Sequence, residues 1–95
     1  MKVINAKFYI KEEKRTEFLE AVRPLILATR EEAGCLAYDM YESIDTPNQF
    51  VMIENWANQA AIEGHNQSPL LKQLFGQLPE FSAAKAELMV MDKED

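Results

Sequence analysis

An α+β fold is predicted by three observations. Period-two alternation marks Lys2 to Ile10, Leu36 to Ser43 and Gln49 to Trp56. Helical spacing of apolar residues fills the long stretch between the first two of these, and a dense turn signal, Asp45-Thr46-Pro47-Asn48, joins the second and third into a hairpin. The resulting order of strand, helix, hairpin, helix and strand is the split βαβ arrangement βαββαβ. It closes as a four-stranded antiparallel sheet with helices on one face, the ferredoxin-like fold.

Each element has its own signal. In the first strand Ile4, Ala6, Phe8 and Ile10 share one side and Val3, Asn5, Lys7 and Tyr9 the other. From about Glu12 to Ala33 the stripe Phe18, Val22, Leu25 or Ile26, and Thr29 predicts a helix, with Gly34 placed for a left-handed C-terminus. Pro24 removes one backbone hydrogen bond and is expected to bend that helix near residues 20–24 without ending it. Asn58 caps a short helix reaching His65, and Ser68-Pro69 starts another carrying Leu70, Leu71, Leu74 and Phe75. Phe81 to Met91 returns as the fourth strand, and residues 92–95 should fray.

Strand three shows Val51 and Ile53 on one side and Phe50, Met52 and Trp56 on the other, so both sheet faces call for burial. One helix layer covers only one of them. The simplest cover for the second is the same face of another copy, a two-fold homodimer whose two sheets enclose a barrel-like core.

Composition narrows the function. Residues 1–95 form one domain, large enough to bury roughly 60–65% of its unfolded surface without a disulfide or structural metal. A net charge of -6 with no basic run argues against a nucleic-acid partner. No apolar run approaches a membrane span, the single Cys35 cannot form an internal disulfide, and the opening residues lack the apolar core of a signal peptide. A cytoplasmic protein is expected. One histidine and one cysteine give no metal-ligand set, and three glycines write neither a dinucleotide fingerprint nor a phosphate loop. No metal and no cofactor are expected, and the partner is read as a small molecule.

The segment from Phe50 to Pro69 concentrates the chemistry, with the only tryptophan and the only histidine within ten residues of each other. From the residues alone, His65 reads as a partly buried histidine satisfied by a backbone carbonyl or as a general base. Glu54, on the face of Met52 and Trp56, reads as a strand-end charge or as a group orienting His65 or a substrate hydroxyl. Trp56 reads as a core aromatic or a stacking surface, and Asn5 as structural or as a donor to an anion. Tyr38, Tyr41, Phe8, Met40, Met52, Met89 and Met91 are either core or the wall of a pocket for a flat apolar ligand. Lys11 to Arg15 and Glu31-Glu32 read as solvated helix surface.

Glu54-x-Trp56, the run from Ala57 through Ala61 to His65, Ser68-Pro69 and Glu31-Glu32-Ala33-Gly34-Cys35-Leu36-x-Tyr38 together resemble the antibiotic biosynthesis monooxygenase (ABM) domain, nearest its stand-alone quinol monooxygenase-type members. The resemblance implies a dimeric α+β barrel and a cofactor-independent monooxygenase oxidising a quinol or polycyclic phenol with dioxygen. In that setting His65 is expected as base with Trp56 and Asn5 as positioning groups, and the residues themselves place Glu54, Tyr38, Met52 and Phe8 around the substrate. Many relatives carry a second histidine where this chain has Leu70. Haem-degrading members use an Asn, a Trp and a His, but Asn5 falls one position from their asparagine, and one position turns a strand side chain to the other face. The alternatives are an isomerase of a small carbonyl compound and a non-catalytic dimeric binding module for an aromatic metabolite.

Overall fold

A computed structural model describes residues 1–94 and contains β1 (Lys2–Ile10), α1 (Arg15–Thr29), β2 (Cys35–Glu42), β3 (Gln49–Trp56), α2 (Gln59–His65), α3 (Pro69–Phe81) and β4 (Ser82–Asp92). The strands make one antiparallel sheet in the order β2-β3-β1-β4, the ferredoxin-like arrangement expected. Among the described residues no helix is long and apolar enough to cross a membrane.

The strand register sorts the side chains. Ile4 pairs with Glu54, Ala6 with Met52 and Phe8 with Phe50, so β1 and β3 present one continuous face to the helices. On that face Ile4, Ala6, Phe8, Ile10, Phe50, Met52, Trp56 and Tyr38 are buried against Phe18, Val22 and Leu25 of α1, Ile62 of α2, and Leu74, Leu78 and Phe81 of α3. Phe18 sits at the centre, with ring centroids 5.7 Å from Phe8, 5.2 Å from Phe50 and 6.4 Å from Phe81. Burying each such side chain contributes about 1.5–3 kcal/mol.

Several boundaries differ from expectation. The first helix opens with a single 3₁₀ turn, Glu12–Lys14, and α1 ends at Thr29 rather than Ala33. Residues 30–34 turn back on themselves through Glu32 N–H to Thr29 O and Cys35 N–H to Glu32 O, and Gly34 takes φ +81°. The helix runs through Pro24, whose lost partner, the Glu20 carbonyl, belongs to an exposed residue. Phe81 closes α3 instead of opening β4, because Leu74, Leu78 and Phe81 continue the helical stripe past Pro79. Residues 92–95 were expected to fray, yet Asp92 pairs with Lys2 in the ladder and by a 2.5 Å ion pair. Lys93 N–H extends the contact to Met1 O at 2.8 Å, and Asp95 lies outside the described residues.

The β2–β3 hairpin is clamped from α1. Arg15 Nη2 donates to Glu42 Oε1 at 2.8 Å and Nη1 to Asn48 Oδ1 at 2.9 Å, while Asn48 N–H donates to Glu42 Oε2 at 2.9 Å. Asn48 has φ +67°, a left-handed position that asparagine tolerates better than most residues. The Arg15 guanidinium also lies 5.4 Å from the centre of the Phe50 ring.

Candidate active site

The site grows out of the end of α2. Asn58 caps that helix by accepting from Ala61 N–H at 3.0 Å, which fixes its start and brings His65 onto the face packed against the sheet. His65 is 4% exposed, and its ring stands 4.8 Å from the Trp56 ring and 5.3 Å from that of Tyr38. Its Nδ1 lies 2.9 Å from Glu32 Oε1. A Glu32 carboxylate at Nδ1 selects the tautomer protonated there and leaves the Nε2 lone pair able to accept a hydrogen bond or a proton.

Glu32 reaches His65 because the turn after α1 presses against α2. A Cβ on Gly34 would stand 2.5 Å from Ala61 Cβ, so only glycine permits both the close approach and the positive φ. Glu32 had been expected on the solvated surface of a longer helix; its side chain is instead 26% exposed and bonded to His65. The helix period gave no signal for this, since the helix stops three residues earlier. On the outer side of the pair an open groove of about 420 Å³ runs past Glu32, Gly34, Asn58, Ala61 and His65.

On the inner side lies a cavity of about 90 Å³ between the sheet and α3. Phe8, Tyr38, Met52, Glu54 and His65 all line it, so five of the seven expected site residues come together. Ile4, Ala6, Asn66, Leu71, Leu74, Phe75 and Leu88 complete the wall. Trp56 stands behind this lining, fully buried, with its indole N–H donating to Glu54 Oε1 at 3.0 Å. Glu54 therefore orients the indole, whereas the carboxylate on His65 is Glu32.

Asn5 is the exception. Its ladder partners are Ile53 and Met89, so it projects from the face opposite the cavity, and its neighbours Ile4 and Ala6 are the residues that line it. Alternation in β1 leaves no other outcome. Met89 and Met91 share that far face with Asn5 and Val3, and Tyr41 pairs with Val51 there, so none of these lines the inner cavity. Met40 borders a separate groove beside Arg15. Leu70 packs against the core without lining the cavity.

Burial pushes the Glu54 carboxyl up to about 7, the Glu32 charge adds to the rise, and the Trp56 N–H opposes it. Burial likewise raises the Tyr38 hydroxyl far above the ordinary phenol range, with Glu54 and Glu32 adding to it, so Tyr38 stays neutral. The Cys35 thiol is raised by burial and then by Glu32, which makes it less reactive. No group of three His, Cys, Asp or Glu side chains suited to a metal exists among the described residues.

An apolar cavity with a positioned imidazole and a carboxyl near neutrality is suited to moving protons on a small apolar molecule, and comparison with known proteins narrows the setting. YcnE of Bacillus subtilis is 40% identical over 68 residues, covering 72% of this chain and 72% of that protein. The Synechocystis protein sll1783 is 31% identical over 88 residues, 93% of this chain, and the chain spans 60% of that relative's length. A crystal structure of an antibiotic biosynthesis monooxygenase superposes with a TM-score of 0.91 over 100% of both chains at 29% identity. A conserved protein from Methanosarcina mazei Go1 does so with a TM-score of 0.92, over 98% of this chain and 92% of that one, also at 29% identity. The family model for antibiotic biosynthesis monooxygenases matches residues 1–86, which includes the cavity wall except Leu88, and the chain accordingly belongs to that family.

Proposed function

We propose that this chain is a monooxygenase that inserts one atom of dioxygen into a quinol or related phenol, with His65 and Glu54 handling the protons. The observation that carries the reading is that a base held by a carboxylate and a carboxyl near neutrality border the same small apolar cavity. Family membership supports the oxidation; the quinol and the order of steps are our reading.

The phenolic proton passes to His65 Nε2, and Glu32 stabilises the imidazolium through Nδ1–H. The phenolate is then electron-rich enough to give one electron to dioxygen, and the two radicals join as a carbon–oxygen bond at a ring carbon. Neutral Glu54 protonates the outer peroxide oxygen. As a carboxylate it then removes the hydrogen on that carbon, which breaks the O–O bond and expels hydroxide. The proton stored on His65 converts the hydroxide to water. Quinol and dioxygen thus give hydroxyquinone and water, all four electrons coming from the substrate, so the route asks for no flavin and no metal. Apolar walls keep water from the anion and the peroxide.

His65→Ala should lower quinol-dependent oxygen uptake about 100-fold or more, as loss of a general base does. Wild-type uptake in the variant would remove His65 from the chemistry. The small cavity also favours a second reading, proton shuttling on a small carbonyl compound, and turnover under anaerobic conditions would assign that one.

A homodimer belongs to the same reading. Val3, Val51, Ile53, Met89 and Met91 give the far sheet face an apolar patch beside Asn5, Lys7 and Glu87, and Met89 and Met91 are 58% and 37% exposed. Light scattering should return twice the 10.9 kDa chain mass, and a single-chain mass would overturn the assembly.

A further inference from the structure

We infer that the substrate carries an apolar tail, admitted between α3 and β4 past Phe75 and Leu88, with the ring in the inner cavity and the tail in the groove outside. This rests on the quinol reading above and names the substrate class more closely.

The first observation is size. An apolar cavity of about 150 Å³ holds a benzene ring, and the cavity here is about 90 Å³. A ring therefore enters only if part of the wall moves. The wall is unequal: Phe8, Tyr38, Met52 and Leu74 are at most 3% exposed, whereas Phe75 is 39% and Leu88 55% exposed. Displacing the first group opens the packed core, while Phe75 and Leu88 swing into water.

The second observation is what lies beyond those two side chains. Phe75 and Leu88 also line a groove of about 570 Å³ continuous with them, whose wall includes Leu78, Pro79, Ala84 and Ala86. Its one charged lining residue is Lys85. The same two residues thus separate a small polar-tipped chamber from a larger apolar channel. A ligand that fills both has a hydroxylated ring at Glu54 and His65 and a hydrocarbon arm along α3.

Trp56, the only tryptophan, touches Glu54 and His65 and reports occupancy of the cavity without turnover. Two oxidised analogues, which have no electrons to give dioxygen, are titrated against its fluorescence: methylbenzoquinone, and the same ring bearing a decyl chain. The tailed probe should quench at about one-tenth the concentration or less, since each buried methylene contributes about 0.8 kcal/mol. In Ala84→Phe, which fills the groove at an exposed position, the ratio of the two affinities should fall towards one. Quenching by both probes with a ratio near one in wild type overturns this inference and leaves the quinol reading standing. A ratio unmoved in Ala84→Phe also overturns it, and a simultaneous drop of that variant to a single-chain mass assigns the groove to a second copy. Absence of quenching by either probe overturns both readings together.

Discussion

Two carboxylates on the same β2–β3 hairpin live under opposite conditions. Glu42, at the end of β2, is held by both Arg15 nitrogens and the Asn48 N–H, and those partners pull its carboxyl down to about 2. Glu54, on β3, is buried with a single indole N–H, and burial raises it to about 7. One end of the hairpin is fully satisfied and fixes the fold. The other keeps a carboxyl in an environment that disfavours its charge, which stability alone would not select. The unfavourable position marks the site more clearly than any cluster of favourable contacts.

The contrast is sharpened most by pH. Between about pH 4.5 and 7 the folded chain binds a proton at Glu54 that the unfolded chain releases, so this group removes stability as pH rises through that window. The difference in pKa amounts to about 3 kcal/mol at most. Glu54→Gln should therefore flatten the fall in unfolding free energy between pH 4.5 and 8 by up to that amount, read from urea titrations. An unchanged slope would mean that Glu54 is ionised at little cost and that the two carboxylates are alike.

Gly34→Ala comes next. The left-handed φ and the 2.5 Å approach to Ala61 together should cost about 2 kcal/mol, and the turn should withdraw Glu32 from His65. Thermal unfolding gives the first effect. A ring-nitrogen shift of His65 in NMR gives the second, and a variant that kept the wild-type His65 signal would uncouple the turn from the site. Arg15→Met should have the smallest effect. Glu42 contributes stability above about pH 4.5 that is lost as pH falls towards 2. Without Arg15 acid unfolding should begin at higher pH, with quinol turnover per folded molecule unchanged.

How much of this the sequence carried follows from distance along the chain. β1, β3 and the caps of α2 and α3 are local patterns, and Asn58, Ser68 and Pro69 behave as their chemistry requires. The shared face of Met52, Glu54 and Trp56 is likewise a matter of counting by two. Glu32 was illegible because its partner is 33 residues away and because the end of α1 is set by a turn packed on α2. Asn5 was legible and misassigned: its own strand put it opposite Phe8, and the capacity of its amide to hydrogen-bond an anion kept it among the candidates. The gate at Phe75 and Leu88 joins a helix and a strand that no local pattern relates.

The position of β1 in the sheet has a consequence for how the chain is made. It lies between β3 and β4, so the first strand synthesised is flanked by the last two. β4 begins about 70 residues after β1 ends. At a synthesis rate of about 5–20 residues per second, Ile4, Phe8 and Ile10 wait roughly 4–14 s for their last neighbour. A nascent chain of this topology has one edge of β1 unpaired until β4 is made, and its yield in a cell depends on what shelters that edge in the interval.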